Sequence, residues 1–352
     1  MATWPEPDQG DYHIPNFQFV EGTSLPDLRI HYYTFGKLRN DSHGKATNAV
    51  LIMHGTTGNG TNFFNDRFAG QLFKPGQLLS AEDYFLVLPD AIGHGKSSKP
   101  SDGLRATFPR YSYEDMVRAQ HFLLAEHLGV NHLRLVMGTS MGGMYAISSL
   151  DLWHSWVWGT RYPGFMDAIM PLASLPSQIS GRNRMMRKMA IDSIRDDPEF
   201  MDGNYRIQPR GLRAALHVLA WMSSSPLRWQ NQAPDRESAD KFIDAWMEAG
   251  MRQQDANDFA YAFDASRDYD PRPGLKNISA TLIAVNFEDD QVNLPELQIL
   301  ETEIKKVKQG KAVVVPISAG SAGHGTHTVA VVWKEYLADL LEMSKSANNA
   351  KL

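Results

Sequence analysis

No cysteine occurs among the 352 residues, and its absence removes disulfides, thiolate metal sites, iron–sulfur clusters and a cysteine nucleophile together. Any nucleophile must therefore carry oxygen or nitrogen. The chain also lacks an apolar run approaching the ~18 residues that span a bilayer. Its opening, Met1-Ala-Thr-Trp-Pro-Glu-Pro-Asp-Gln-Gly, has neither the basic nor the apolar segment of a secretory signal. A membrane span and export are not expected, so the glycosylation-like triplets at Asn40, Asn59 and Asn277 read as chance. Charge of one sign is missing too: 35 Lys and Arg face 40 Asp and Glu, the formal net charge is −5, and the positive residues are scattered. Without a basic patch to meet a phosphate backbone, nucleic acid is not an expected partner. Internal repeats and low-complexity tracts are absent as well.

What is present is an ordinary globular composition, 43% apolar and 21% charged, in a chain long enough for one large α/β domain with an insertion. Ala49–Met53 and Tyr84–Leu88 are short continuous apolar runs, the pattern of strands covered on both faces of a parallel sheet. Residues 133–137, 168–173, 281–285 and 312–316 repeat that pattern. Between them, Ser112-Tyr-Glu-Asp opens a helical periodicity through Met116, Val117, Phe122, Leu123, Leu124 and Leu128 that Gly129 stops. Strand–helix alternation implies a mostly parallel, doubly wound α/β sheet. The alternating stretch Phe17–Phe35 predicts antiparallel edge strands ahead of it.

The rhythm breaks between about Leu175 and Asp270. There Met185, Met186, Met189, Ile191 and Ile194, then Leu212, Ala215, Leu216, Leu219 and Trp221, read as amphipathic helices without strands. The expected organisation is a core of residues 1–174 and 271–347, a helical cap at 175–270, and a polar tail at 348–352. The methionines read as plain core, or, in a functional version, as the adaptable lining of an apolar pocket.

Gly138-Thr-Ser140-Met-Gly142 follows a strand and precedes a helix-compatible run, which is the setting of the Gly-x-Ser-x-Gly elbow. Small residues two places either side let that turn close and present the serine hydroxyl at the carboxyl edge of the sheet. A serine needs a base, and the base an orienting acid. His324, in the glycine-flanked loop Ala322-Gly-His-Gly-Thr-His327, is favoured as base, with His327 expected to cap or pack at the start of the next helix. No metal is expected at these two histidines. After the strand Thr281–Val285, Glu288, Asp289 and Asp290 offer three carboxylates. Asp290 is preferred, Asp289 is the alternative, and Glu288 reads as a solvated loop charge. The order Ser140, Asp290, His324 is that of one hydrolase architecture and of neither serine-protease order. An oxyanion needs two N–H donors, assigned to the backbones of Met141 and of Thr56 in His54-Gly-Thr-Thr-Gly58. Asp90-Ala-Ile-Gly93-His-Gly95-Lys-Ser97 imitates the end of a P-loop, but Asp90 stands where its first glycine belongs. It reads as a structural turn, and no cofactor is expected.

With these residues in place the chain resembles the α/β-hydrolase superfamily, and within it the branch related to homoserine O-acetyltransferase. The resemblance rests on Ser140-Met-Gly-Gly-Met144, Asn183-Arg-Met-Met-Arg187, Asp196-Asp-Pro-Glu199 and the spacing from Asp290 to Glu296. It implies a triad of Ser140, Asp290 and His324, a ping-pong acyl-enzyme mechanism, and Arg187 as anchor for an anionic substrate group. Composition alone reads Arg187 as an exposed arginine. Two departures stand out. The acetyltransferases carry an acidic residue directly after the catalytic histidine, where this chain has Gly325, and the His54-Gly55-Thr56 loop is more like that of an ordinary esterase. Tyr145–Trp153 also makes the helix after the elbow longer than such enzymes carry.

These readings lead to a serine hydrolase that cleaves a small-molecule ester. An acyltransferase on the same machinery and a non-catalytic binding protein are the alternatives. Assembly is left open, a homodimer being one form the sequence permits. The end, Ala350-Lys351-Leu352, differs by one small residue from the Ser-Lys-Leu peroxisomal address, which makes an import receptor a partner and the peroxisome the expected location, with the cytoplasm as alternative.

Overall fold

The computed structural model describes residues 4–145 and 157–349. Eight strands form one sheet in the order β1-β2-β4-β3-β5-β6-β7-β8. These are β1 Asp8–Gln18, β2 Ser24–Phe35, β3 Ala49–Met53, β4 Phe85–Pro89, β5 Leu135–Thr139, β6 Ala168–Leu172, β7 Thr281–Phe287 and β8 Gly310–Val315. The pairs β1–β2 and β2–β4 are antiparallel, and all pairs from β4 to β8 are parallel. The α/β class and the antiparallel edge follow the expectation. β1 nevertheless begins at Asp8, well before Phe17, where it pairs with Thr34 of β2; most of its side chains are exposed and only Ile14 and Phe17 are buried, so no apolar alternation announces it.

Every residue of β3, β5, β6 and β7 is buried. Their side chains alternate between two cores, as a pleated strand requires: Leu51, Val136, Ile169 and Leu282 face one layer, and Val50, Leu135, Met170 and Ile283 the other. β5 runs two residues past the apolar stretch that announced it, since Gly138 and Thr139 pair with Pro171 and Leu172. That extension carries the chain directly into Ser140. After β4, helix α1 (Tyr113–Phe122) opens with a capping box: the Asp115 carboxylate accepts the Ser112 N–H at 2.9 Å, and the Ser112 hydroxyl caps the Asp115 N–H. A wide turn over Leu123–His127 follows, and Gly129, at φ +66°, ends it.

Between β6 and β7 the chain forms α3 (Gly181–Arg195), α4 (Arg210–Met222), α5 (Pro226–Gln232), α6 (Arg236–Gln253) and α7 (Ala256–Asp264), with no strand. Met186, Ile191, Ile194, Leu212, Leu216, Met247 and Phe259 share a separate core there. The apolar face is narrower than the sequence suggested: Met185 and Met189 are 65% and 57% exposed and Trp221 is 65% exposed. On α3 the buried positions are Met186, Arg187, Ala190, Ile191 and Ile194, and Met185 and Met189, each one place before a buried residue, turn out to solvent.

The last helix, α8 (Lys334–Asn349), continues through Asn349 into what composition reads as tail. Ala350-Lys351-Leu352 and all of Tyr145–Trp153 beyond Tyr145 lie outside the described residues. Among the described residues, no helix is long and apolar enough to cross a membrane.

Candidate active site

Ser140 sits between the end of β5 and the start of helix α2 (Met141–Tyr145) with φ +53°. A non-glycine residue in that left-handed region costs about 1–3 kcal/mol and persists only where its surroundings impose it. Here the glycines impose it. A Cβ on Gly138 would lie 2.3 Å from the Gly142 carbonyl carbon, one on Gly142 would lie 2.2 Å from the Met53 oxygen, and one on Gly143 would lie 2.4 Å from the Ser174 hydroxyl. Strand, turn and helix touch at backbone distance, so the hydroxyl can go only outward from the sheet edge. The Ser140 N–H is held by the Leu172 carbonyl at 2.8 Å.

His324 reaches this edge from the loop after β8. Its Nε2 lies 2.8 Å from Ser140 Oγ, and its Nδ1 lies 3.0 and 2.9 Å from the two Asp290 oxygens. A carboxylate only accepts, so Nδ1 carries the proton and Nε2 is left to accept the Ser140 hydroxyl. Asp290 is fully buried and also accepts the N–H groups of Val292 and Asn293 at 2.8 and 3.0 Å. Burial alone would raise its pKa. The charge and hydrogen bond of His324, with the two backbone donors, outweigh burial and hold the carboxyl below its ordinary value.

The neighbouring carboxylates are used differently. Asp289 Oδ2 accepts the Ser225 hydroxyl at 3.0 Å and the Gly323 N–H at 2.7 Å, while exposed Glu288 accepts the Ile317 N–H at 2.8 Å. His327 lies in the short turn Gly325–Thr328, its ring edge-on to His324 with centroids 5.3 Å apart. Burial, then the His324 charge, pushes its imidazole down to about 3, so it packs as a neutral ring.

Thr56 and Ser140 line one cavity of about 460 Å³, and a Cβ on Gly55 would lie 3.5 Å from the Ser140 Cβ. Met141 opens α2 and is buried. Among the described residues, the Thr56 N–H donates no backbone hydrogen bond.

The sequence profile of the alpha/beta hydrolase family matches residues 49–334. The chain belongs to that family. Within it, the chain is 30% identical to the homoserine O-acetyltransferase of Pelobacter propionicus over 339 residues, covering 86% of this chain and 87% of that protein. In fold it matches the homoserine O-acetyltransferase of Bacillus anthracis with a TM-score of 0.80 at 19% identity, covering 95% and 97% of the two chains. It also matches an acetylester hydrolase from Corynebacterium glutamicum with a TM-score of 0.80 at 20% identity, covering 95% and 96%.

The helical insertion of this alpha/beta hydrolase supplies the far wall of the cavity: Leu219, Met222, Trp229, Phe242 and Trp246, together with Arg187 and Arg228. Composition had placed Arg187 in solvent; it is 2% exposed. Its Nε donates to Asn183 Oδ1 at 2.9 Å, Nη1 lies 3.4 Å from the Ser266 hydroxyl, and the guanidinium stands 5.3 Å from the Phe263 ring centroid. Phe263 and Ser266, brought over from the far end of the insertion, bury it. The aromatic wall was not singled out from the sequence, because nothing local separates Trp229 and Phe242 from core residues. The turn at Asp90–Ser97 is structural in part, since the Asp90 carboxylate accepts the N–H groups of Gly60 and Lys96. Its His94, however, touches the Thr56 carbonyl, a contact the P-loop comparison could not suggest.

Proposed function

We propose that the chain is a serine hydrolase of carboxylic esters. One observation carries the reading: the Ser140 hydroxyl is 2.8 Å from an imidazole nitrogen whose other nitrogen is paired with a buried carboxylate. In this reading Nε2 of His324 removes the Ser140 proton as Oγ attacks the ester carbonyl, and the Asp290 carboxylate stabilises the imidazolium that forms. The N–H groups of Thr56 and Met141 hold the oxyanion, each donor lowering the barrier by about 3 kcal/mol in comparable sites. The imidazolium returns its proton to the departing alkoxide, leaving an acyl-Ser140. Water, deprotonated by the same imidazole, then releases the acid and restores the serine.

Transfer of the acyl group to an alcohol is the second reading, and the names of the relatives favour it. Hydrolysis is preferred because no carboxylate lines the cavity among the described residues and Gly325 follows His324. An amino-acid acceptor would bring an ammonium with nothing to pair it. Arg187, buried with neutral partners in Asn183, Ser266 and the Phe263 ring, is assigned the anionic end of a substrate. The aromatic wall then suits an apolar acyl or alcohol portion.

A fluorophosphonate probe and a chromogenic ester test this directly. The expected result is a single adduct on Ser140 and ester hydrolysis that added homoserine does not accelerate. An unlabelled Ser140 overturns the serine mechanism. Homoserine-dependent O-acyl product would establish transfer instead.

A further inference from the structure

Two buried histidines outside the Ser140 line bear on the Thr56 loop. His54 Nε2 accepts the Ala91 N–H at 3.0 Å, so the proton of this neutral ring is on Nδ1, which donates to the Gly55 carbonyl at 2.8 Å. The Gly58 N–H reaches the same oxygen at 3.0 Å. In a planar trans peptide the C=O and N–H point opposite ways. Pinning the Gly55 oxygen therefore sets the direction of the Thr56 N–H. The next peptide plane is met by His94, whose Nε2 lies 2.8 Å from the Thr56 oxygen and whose Nδ1 lies 2.9 Å from the Ile92 oxygen. The two rings are 5.0 Å apart, and both are buried.

Burial pushes each imidazole down to about 4, the other ring adding to the effect at His94. Both are therefore neutral in ordinary buffers. A neutral His94 has one proton for two facing carbonyls, and only an Nε2 proton restrains the Thr56 loop.

We propose that His54 and His94 are positioning residues for the oxyanion site. His54 fixes the Gly55–Thr56 peptide through Nδ1–H and His94 fixes the Thr56–Thr57 peptide through Nε2–H. This rests on the serine-hydrolase reading. Neither ring exchanges a proton with substrate; they act by aiming a backbone donor.

Asparagine places an amide N–H near the Nδ1 position of histidine, and glutamine places one near Nε2. His54→Asn and His94→Gln thus keep the loop contacts, while His54→Gln and His94→Asn lose them. Expected is a fall in kcat of about 10²-fold in the second pair, the size of losing one oxyanion donor. KM should stay within about threefold, and the first pair should recover most of the rate at matched Tm. Equal rates in Asn and Gln variants, or losses that only follow Tm, would overturn the proposal. Histidine-selective 15N NMR of the unmutated protein supplies a readout that needs no variant to fold. The expected tautomers are Nδ1–H for His54 and Nε2–H for His94, and an Nδ1–H tautomer at His94 overturns its part. Failure of the unmutated protein to label with fluorophosphonate would instead remove the reading on which this rests.

Discussion

Asp289 and Asp290 are adjacent in the chain yet serve different partners across the same gap. Asp290 holds the ring of His324 at 2.9 Å, whereas Asp289 holds the loop that carries it, through the Gly323 N–H at 2.7 Å, and ties that loop to Ser225 beside α5 at 3.0 Å. One carboxylate orients the imidazole; the other anchors its backbone against the helical insertion.

Asparagine substitution at each position should therefore give different losses. In Asp290→Asn the amide can donate to Nδ1, which forces the proton to Nε2 and leaves no base facing Ser140. A fall in kcat of about 10⁴-fold is expected, with little change in KM. In Asp289→Asn the side-chain oxygen still accepts from Gly323, so the fall should stay below about tenfold. Steady-state kinetics on a chromogenic ester distinguish them, and a larger loss at Asp289 would exchange the two roles.

The elements legible in the sequence are those whose cause is local. Ala49–Met53 reads as a strand because both of its faces are covered, and Ser140 stands out because the elbow's steric demands fall on Gly138 and Gly142, two places away. β1 hides because its solvent face carries most of its residues. The meeting of Ser140, His324 and Asp290 was suggested by their order, but the choice of Asp290 over Asp289 depends on a turn whose donors, Val292 and Asn293, come after both. Burial of Arg187 could not be read locally, since Ser266, 79 residues further on, covers it. The contact of His94 with Thr56 joins loops after two different strands and has no signature in either.

The elbow's packing predicts which glycines matter. Gly142→Ala would drive a methyl to 2.2 Å from the Met53 backbone oxygen, and backbone on both sides cannot yield cheaply. A loss of about 3 kcal/mol or more, or failure to fold, is expected. Gly164→Ala, with nothing within 4 Å and no positive φ, should change stability by less than about 1 kcal/mol. Denaturant unfolding of the two variants checks the contrast, and similar midpoints would contradict the packing account.

Asp258 on α7 clasps the turn Pro100–Asp102, accepting the Ser101 N–H at 2.9 Å and its hydroxyl at 2.6 Å. Burial, reinforced by Asp255 and only partly offset by Ser101 and Lys99, pushes its carboxyl up to about 7. The folded chain then keeps a proton that the unfolded chain releases near ~4. Stability from this group is present below about pH 4 and is lost as pH rises to about 7. Asp258→Asn cannot titrate, so its Tm relative to the unmutated protein should rise between pH 5 and pH 8. Parallel Tm curves across that range would show that Asp258 is ionised throughout.

On the proposed reading, Gly325 leaves the ammonium of an amino-acid acceptor without a partner. It follows His324, lines the cavity, and has space: a Cβ there would meet only the Ala322 Cβ, at 3.9 Å. Gly325→Glu would therefore place a carboxylate in a cavity that has none among its described lining and leave the buried Arg187 to take a carboxylate group. An amino-acid alcohol would then find partners for both its charges. The ratio of O-acyl homoserine to free acid should rise about tenfold or more, equivalent to ~1.4 kcal/mol of added acceptor binding in the transition state. The corresponding hydroxy acid without an amino group should gain nothing. An unchanged ratio would show that a carboxylate at this position does not meet the acceptor's ammonium.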